Sequence, residues 1–345
     1  MEIKIALVGL GNVGKEFIKL IKERRDLIEN RYGINVKTVS IIGRQVSIHD
    51  ERGLNLNSII NSMDSRKGLQ QLPYPVKSGG YQGIKASNAD IVVEATPTDL
   101  NTGEPGLTNI KTALSSGKHV VSLTKGPFVV AYSEIMKLAA RSNLLVKFSG
   151  ATAAALPTMD VADYCLAGTN IKRIEGILNG TTNYILTRMT ADKIPFKKAL
   201  ETAKKLGIAE PDPTLDIKGY DTAAKLAILC NAVYGTEIMI KDMPIEGIDT
   251  IDISDIHRAS QEGLVYKLLG RAFKEDERVY AEVRLVKLPQ HHPLASVNST
   301  TKAIRYETDT MGEIFVTGGA SSPTGAASAA LKDTINIARE FTRGS

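Results

Sequence analysis

Residues 3–14 have the sequence IKIALVGLGNVG, and this stretch decides the fold of the first part of the chain. Ile3 to Val8 is an almost wholly apolar run that predicts a buried strand. From Val13 onward apolar residues recur at helical spacing, so the glycine turn at residues 9–14 joins a strand to a helix. In that setting the N–H groups of the turn can approach a pyrophosphate at the positive end of the helix. A dinucleotide site is therefore favoured over a turn that only packs the helix on the strand.

The pattern of strand followed by helix continues through the first half of the chain. A helix is predicted at Gly106–Ser116, because the next residue, Gly117, is typical of a helix end. Further strands are predicted at Val36–Ile42, Asp90–Ala95, His119–Leu123 and Leu144–Phe148. Strands that alternate with helices predict an α/β domain, built on a doubly wound parallel sheet of the Rossmann type.

The pattern changes near Gly150. Strand-like segments at Ile174–Leu178 and Tyr280–Val286, together with an apolar helix at Thr222–Val233, predict a second domain of the α+β class.

The last segment, residues 318–343, again combines a glycine turn with a helix. Ser322 is suited to the N-cap of this helix and Pro323 to its first position. We expect the helix to complete the first domain. The predicted domains are thus a dinucleotide-binding domain at 1–150, completed by 318–343, and a catalytic domain at 151–317.

The second predicted strand ends at Ile42-Gly43-Arg44, where NAD-preferring folds carry an acidic residue for the ribose 2′-hydroxyl. Arg44 is predicted to pair instead with the 2′-phosphate of NADP, because a guanidinium group matches the geometry of a phosphate. Arg66 or Lys67 would be weaker helpers. The alternative is an arginine that faces solvent, with NAD as the cofactor.

In doubly wound sheets the residues just past the carboxyl ends of the strands line the ligand crevice. Thr96 and Pro97 follow a predicted central strand, and we expect them near the nicotinamide half of the cofactor. Lys125 has the equivalent position after the next strand. A surface lysine is the alternative there.

The densest cluster of chemically capable residues lies at 207–226. Glu210 and Asp216 flank two prolines, which stiffen the loop, so the carboxylates would lose little freedom on binding a cationic group. A substrate amino group is the natural ligand for them.

Asp221 and Lys225 stand four residues apart in the apolar predicted helix and therefore share a face. Burial lowers the proton affinity of a lysine, and this suits proton transfer near neutral pH. Catalysis by Lys225 is favoured. The alternative is an N-cap role for Asp221 with a Lys225 side chain that reaches solvent.

A polar turn, Asn179-Gly180-Thr181-Thr182-Asn183, precedes a helix predicted at Tyr184–Met189. The N–H groups of Gly180 and Thr181 are suited to a substrate carboxylate. An ordinary capping sequence, with Thr or Asn at the N-cap, is the alternative that the turn alone favours.

Composition excludes several other classes of function. The formal net charge of +5 is modest and the basic residues are scattered, so nucleic acid is not an expected partner. No stretch approaches the ~20 apolar residues of a membrane span and no signal sequence is present, so we expect a cytoplasmic protein without a membrane partner. Cys165 and Cys230, both in apolar surroundings, are expected to be buried thiols rather than a disulfide or metal ligands.

Together these segments resemble homoserine dehydrogenases, over essentially the whole chain. The most specific similarity lies at residues 207–226. Supporting similarity is found at 9–14, Ala95-Thr96-Pro97-Thr98, Lys125, Gly180–Tyr184, Gly318-Gly319-Ala320 and Pro323-Thr324.

The resemblance implies interconversion of L-homoserine and L-aspartate 4-semialdehyde with NAD(P)H, on the route to threonine and methionine. It implies that Lys225 donates the proton, that Asp221 orients Lys225, and that Lys125 contacts substrate and cofactor. It also implies a homodimer formed by strands of the second domain. The resemblance further implies that Glu210 and Asp216 bind the amino group of the substrate and that Gly180 and Thr181 bind its carboxylate. Gly319 would contact the nicotinamide end of the cofactor.

The predicted cofactor site thus comprises Gly9, Gly11, Asn12, Val13, Gly14, Arg44, Thr96, Pro97, Lys125 and Gly319. No metal site is predicted, because Ser149 stands where homoserine dehydrogenases often carry a cation-binding Glu. A further departure is the absence, at 208–209, of a Tyr that many relatives place before the equivalent of Glu210. We also expect no C-terminal regulatory domain of the kind that some relatives carry.

Two other functions compete with this interpretation. One is a semialdehyde dehydrogenase that acts through a thioester, which would need an activated cysteine near a base. The other is a dinucleotide sensor without catalysis, which would keep the glycine turn but would not need Glu210, Asp221 and Lys225 together.

Overall fold

The computed structural model describes residues 1–63, 72, 74–76, 78–319 and 321–343, and it contains two compact units. The first unit comprises Met1–Ala154 and the segment from Ser322 onward, and the second comprises Ala155–Ser321. Arg66, Lys67 and Ala320 lie outside the described residues. Within the described part of the chain, no helix is both long enough and apolar enough to cross a membrane.

The first unit is built on a seven-stranded sheet in the order β4-β3-β2-β1-β5-β6-β7. Its strands are β1 (Glu2–Val8), β2 (Asn35–Ile42), β3 (Ser47–His49), β4 (Pro75–Val76), β5 (Ile91–Glu94), β6 (His119–Ser122) and β7 (Val146–Lys147). The five strands from β2 to β7 across the sheet pair in parallel, and β3 and β4 add an antiparallel edge. The predicted doubly wound sheet is confirmed.

The helices of this unit cover the sheet and bury its apolar side chains. They are α1 (Asn12–Glu23), α2 (Arg25–Tyr32), α3 (Leu56–Met63), α4 (Gly80–Ala86), α5 (Gly106–Ser115), α6 (Gly126–Arg141), α7 (Ser149–Thr152) and the C-terminal α14 (Pro323–Arg343). The core joins Ile5 and Leu7 of β1 to Phe17 of α1 and to Ile337 of α14, all less than 1% exposed. Ser322 caps α14 through its hydroxyl, which accepts from the N–H of Gly325 at 3.0 Å, as predicted.

The helical segment that follows Val13 is interrupted. Apolar residues recur at helical spacing as far as Ile28, but the backbone leaves helical geometry at Arg24 (φ −101°, ψ 5°). Residues 22–25 are all charged, so no apolar side chain there holds the helix on the sheet. The second helix starts in a new phase, and Leu27 is consequently 49% exposed while Ile28 is buried.

The second unit is built on a five-stranded antiparallel sheet in the order β10-β9-β8-β11-β12. Its strands are β8 (Ile171–Ile177), β9 (Leu264–Glu275), β10 (Arg278–Pro289), β11 (Lys302–Thr308) and β12 (Glu313–Gly318). Its helices are α8 (Thr158–Asp160), α9 (Gly180–Asp192), α10 (Phe196–Lys205), α11 (Thr214–Ile217), α12 (Tyr220–Tyr234) and α13 (Ile253–Gln261). The predicted α+β class is confirmed.

Helix α12 packs directly on this sheet. A Cβ built on Gly270 of β9 would lie 3.2 Å from a methyl group of Thr222 and 3.6 Å from Cβ of Leu226. The face of the sheet below α12 is apolar, with Ile174, Ala272 and Ile304 less than 1% exposed. The apolar helix predicted at Thr222–Val233 is therefore buried against the sheet.

The two cysteines do not share one environment, which corrects the expectation that both are buried. Cys230 lies inside α12, and burial raises the pKa of its thiol to about 12. Cys165 is exposed, because it ends a π-helical turn, Val161–Cys165, whose last three residues face outward.

Candidate functional site

The glycine turn after β1 has the geometry of a phosphate-binding turn. Gly9 has φ +94°, and a Cβ there would lie 2.6 Å from the carbonyl oxygen of Ala95. A Cβ on Gly14 would lie 2.3 Å from the carbonyl oxygen of Gly9. No larger residue fits these two positions, so the turn is tight and α1 lies close to the ends of β1 and β5.

Gly11 differs from the other two glycines. It is the N-cap of α1, it is exposed, and no atom lies within 4 Å of the position that its Cβ would take. Asn12 and Val13 follow it as the first residues of the helix. The open space at a helix N-terminus is where a pyrophosphate can approach the N–H groups, so the turn fits a dinucleotide.

Arg44 lies in the turn after β2, and its side chain is exposed. Among the described residues, no carboxylate is within ion-pair distance of its guanidinium group. Gly79, which precedes α4, approaches the Arg44 backbone so closely that a Cβ on Gly79 would lie 2.6 Å from the Arg44 carbonyl carbon. The backbone at Arg44 is thus fixed, while its cationic side chain is available to an anion.

The turns after β5 and β6 are tied together by Glu94, the last residue of β5. This carboxylate is less than 1% exposed and accepts from the N–H of Thr96 at 2.8 Å, from the Thr96 hydroxyl and from the amide of Asn109 at 2.9 Å. Thr124 donates to the Thr96 carbonyl at 2.9 Å. Burial raises the pKa of Glu94, and these hydrogen bonds oppose the rise.

Thr96 and the exposed Pro97 lie in the first of these turns, and Lys125 lies in the second, where it is the half-buried N-cap of α6. The close approach of the loop after Pro97 fixes the start of α6, because a Cβ on Gly126 would lie 2.1 Å from the Asp99 carbonyl oxygen.

In the second unit, Lys225 and Asp221 form a largely buried ion pair on α12. The Lys225 Nζ atom lies 2.6 Å from Oδ2 of Asp221 and 2.8 Å from the carbonyl oxygen of Leu178. The two side chains are 14% and 10% exposed. The N-cap of α12 is Gly219 rather than Asp221, so the alternative role of Asp221 as an N-cap is wrong.

Asn179 joins this pair to a second carboxylate. Its amide nitrogen donates to Oδ2 of Asp221 at 2.7 Å and to Oδ1 of Asp216 at 2.8 Å. Asp216 and Asp221 therefore lie on either side of one amide group, in agreement with the cluster of chemically capable residues predicted at 207–226. Glu210 is exposed and takes no part in these hydrogen bonds.

Gly180 and Thr181 form the first turn of α9, which begins earlier than the helix predicted at Tyr184. The Asn179 side chain caps this helix by accepting from the N–H of Thr182 at 2.9 Å. The first N–H groups of a helix have no intrahelical acceptor, so those of Gly180 and Thr181 can receive an anion. A Cβ on Gly180 would lie 2.9 Å from the Thr300 carbonyl oxygen, so glycine is required there.

Gly319 follows β12 with φ +74°, and a Cβ there would lie 2.5 Å from the N atom of Leu156. This turn also accepts only glycine.

Comparison with known proteins gives one consistent result. The sequence model of the family described as homoserine dehydrogenase matches residues 157–335. The homoserine dehydrogenase of Methanocaldococcus jannaschii is 37% identical over 334 residues, which is 96% of this chain and 98% of that protein. This chain belongs to the homoserine dehydrogenase family.

Other homoserine dehydrogenases agree with this assignment. An NAD(+)-dependent homoserine dehydrogenase of Pseudomonas canavaninivorans is 34% identical, with 99% of this chain and 98% of that protein covered. The crystal structure of a homoserine dehydrogenase from Thiobacillus denitrificans matches with a TM-score of 0.85 and 27% identity, covering 99% of this chain and 74% of that one. The chain is accordingly an NAD(P)-dependent oxidoreductase that acts on a CH–OH group.

Homoserine dehydrogenase activity is favoured over both competing functions. Against the thioester route, Cys230 cannot serve as the nucleophile, because it is buried with a raised pKa. A sensor without catalysis leaves the family resemblance and the buried Lys225 pair without explanation.

Three residues of this homoserine dehydrogenase were missed by sequence reasoning as members of the site. Asn179 was considered only as a cap, although it also binds both carboxylates. Glu94 was considered only as a strand end. Lys302, the first residue of β11, carried no local signal, yet it is 3% exposed and interacts with Lys225.

Proposed function

We propose that this chain interconverts L-homoserine and L-aspartate 4-semialdehyde, with Lys225 as the proton donor in reduction and the acceptor in oxidation. The observation that carries the proposal is the geometry of Lys225. Asp221 and the Leu178 carbonyl accept two of its three N–H groups, and among the described residues no other group accepts from it. The third N–H is left to donate to a substrate oxygen.

In the reduction, the Lys225 ammonium donates a proton to the carbonyl oxygen, which becomes the hydroxyl of homoserine. NAD(P)H, when bound, supplies the hydride to the carbonyl carbon. Asp221 keeps the lysine in place and stabilises its charge before transfer, and the same lysine accepts the hydroxyl proton in the reverse direction.

Two groups of residues are proposed to orient the substrate. Asp216, supported by Asn179, and Glu210 bind the amino group. The free N–H groups of Gly180 and Thr181 at the start of α9 bind the carboxylate.

The cofactor is proposed to bind at the glycine turn, with Thr96, Pro97, Lys125 and Gly319 near the nicotinamide. NADP is the preferred form, because Arg44 follows β2 where an NAD-binding fold has an acid, and its side chain is exposed. NAD is the alternative.

We further infer a homodimer formed by strands of the second unit, acting in threonine and methionine biosynthesis. Exposed aromatic side chains on that sheet, Tyr280 at 44% and Phe315 at 36%, support such an interface. Sedimentation equilibrium should give twice the mass of the 37.3 kDa chain. A single-chain mass would exclude the dimer.

The proposed function is tested by homoserine-dependent reduction of NADP and NAD, with Lys225→Ala compared with wild type. We expect the variant to lose roughly two or more orders of magnitude in kcat while it still binds cofactor. Lys198→Ala, the same change at an exposed position of α10, is the control and should leave the rate unchanged.

Cofactor titrations in the same experiment test the role of Arg44. Arg44→Ala should weaken NADP binding by about tenfold or more and leave NAD binding nearly unchanged. Wild-type protein that binds cofactor but does not oxidise homoserine would overturn the substrate assignment.

A further inference from the structure

Glu94 is a buried carboxylate at the point where three strands of the first unit end. The residue closes β5 and pairs with Val8 of β1 on one side and with Ser122 of β6 on the other. Buried charged groups are usually paired with an opposite charge. No described lysine, arginine or histidine lies within ion-pair distance of this carboxylate. Its described polar contacts are therefore the hydrogen bonds that it accepts from uncharged groups.

The donors to Glu94 come from three separate elements. The N–H of Thr96, in the turn after β5, donates to Oε1 at 2.8 Å, and the hydroxyl of the same residue donates to this oxygen as well. Asn109 of α5 donates to Oε2 at 2.9 Å. The hydroxyl of Thr124, in the turn after β6, lies 3.5 Å from Oε1. One side chain thus joins two turns and a helix.

Thr96 is the residue that this arrangement fixes most completely. Glu94 accepts from its N–H and its hydroxyl, and the Thr124 hydroxyl donates to its carbonyl oxygen at 2.9 Å. The proline at the next position also restricts the backbone of Thr96 to extended conformations. Pro97 and Lys125 directly follow the two threonines. Both residues therefore start from fixed positions.

The glycine turn after β1 is held by other contacts. Gly9 donates its N–H to the Ile42 carbonyl at 2.9 Å. The N–H of Ala95 donates to the Val8 carbonyl at 2.8 Å. These hydrogen bonds join backbone atoms and do not involve the Glu94 side chain. The glycine turn and the two turns next to Glu94 are thus fixed by different sets of contacts.

We propose that Glu94 is a positioning residue, which orders the turns after β5 and β6 for the nicotinamide half of the cofactor. This inference rests on the proposed function, in which Thr96, Pro97 and Lys125 lie near the nicotinamide. Without the carboxylate, the N–H of Thr96 loses its acceptor, and the turn has to become ordered when the cofactor binds. The free-energy cost of that ordering weakens binding of the nicotinamide half.

The chain offers a matched control in Glu104. This residue also accepts from the N–H and the hydroxyl of one threonine, Thr108, at 3.2 Å and 2.9 Å. Both residues are exposed, and they lie only four positions apart in the chain. Replacement of Glu104 therefore removes the same kinds of hydrogen bond at a place where no two turns are joined.

The test is calorimetric titration of wild type, Glu94→Met and Glu104→Met with two ligands. One is NADP, and the other is adenosine 2′,5′-bisphosphate, which carries the adenosine part of NADP and lacks the nicotinamide. Methionine keeps the unbranched shape of glutamate and is only a weak acceptor. We expect Glu94→Met to raise the Kd of NADP by about tenfold or more and to leave the Kd of the bisphosphate nearly unchanged. Glu104→Met should leave both Kd values unchanged.

Thr124→Val is a second variant, for the case that Glu94→Met does not fold. The change keeps the branched shape of the side chain and removes the hydroxyl that donates to the Thr96 carbonyl. We expect a smaller rise in the Kd of NADP, again without a change for the bisphosphate. If wild type binds NAD in place of NADP, then NAD and 5′-AMP replace the two ligands, and the same results are expected.

An unchanged Kd of the dinucleotide in folded Glu94→Met would overturn the inference. So would an equal rise for the dinucleotide and for the fragment, because Glu94 would then support the whole unit rather than the nicotinamide half. Wild-type protein that binds neither NADP nor NAD is a different result, since it removes the proposed function itself, whatever the variants do.

Discussion

Asn179 holds two carboxylates with one amide group. Because Asp216 is proposed to bind the substrate amino group and Asp221 to orient Lys225, this single side chain connects binding with proton transfer. The side-chain oxygen of Asn179 accepts from the N–H of Thr182, and this hydrogen bond keeps the amide NH2 group turned towards the two carboxylates.

Asn179→Ala should therefore impair both steps. We expect kcat/KM for homoserine to fall by about tenfold or more, with kcat decreased and KM increased, because two carboxylates, one of them buried, lose a donor. The measurement is steady-state kinetics. Asn170→Ala is the control, since Asn170 also donates to a carboxylate, that of Asp309, but at an exposed position. Equal kinetics in the two variants would show that Asn179 does not position the site.

Sequence reasoning found the parts of the site that are local in the chain. The glycine turn and the Asp221–Lys225 pair each lie within a few residues and follow from strand and helix periodicity. The partners of Asn179 are 37 and 42 residues away, and Lys302 is further still from Lys225. Such contacts depend on strand register and on the position of α12 over the sheet, which a single sequence does not determine.

At the scale of elements, α14 is joined to α7 by a buried carboxylate. Asp333 is less than 1% exposed and accepts from the N–H and the hydroxyl of Ser149, both at 2.9 Å, while Lys332 lies 2.7 Å from it. Ser149 stands at the position where homoserine dehydrogenases often carry a cation-binding Glu, and the sequence predicted no metal site there. Its hydroxyl here belongs to the contact between these two helices.

Asp333→Asn should lower the stability of the first unit. The change leaves Lys332 without its ion pair and places an amide NH2 group, which is a donor, against one of the groups that donate to Asp333, so we expect a loss of about 2 kcal/mol in the free energy of unfolding. Glu340→Gln removes the more exposed pair with Lys147 and should cost less than about 1 kcal/mol. Urea unfolding followed by circular dichroism compares them, and similar losses would argue against a special role for Asp333.

For the whole molecule, two buried lysines of the second unit, Lys267 and Lys302, make the free energy of unfolding depend on pH in the alkaline range. Both have a pKa of about 8 in the folded chain, below the value of about 10.4 in an unfolded chain. Between these values the unfolded state binds more protons, so their contribution to the free energy of unfolding rises with pH.

Lys267→Met removes one of these two titrations. Between pH 7.5 and 9.5 the wild type should gain stability relative to this variant by on the order of 1 kcal/mol. Urea titrations at the two pH values measure the difference. The same change in both proteins would mean that Lys267 does not titrate in this range.

The first unit is formed by two stretches of chain that are separated by the whole of the second. Helix α14 supplies Ala327, Ala330, Ile337 and Ala338 to the core around β1. On the ribosome, the second unit is therefore synthesised completely before the residues that finish the first. Until then, the apolar surface of the first unit that α14 covers stays exposed. Chaperone binding to nascent chains should therefore be strongest at β1 and α1 and should end when α14 emerges.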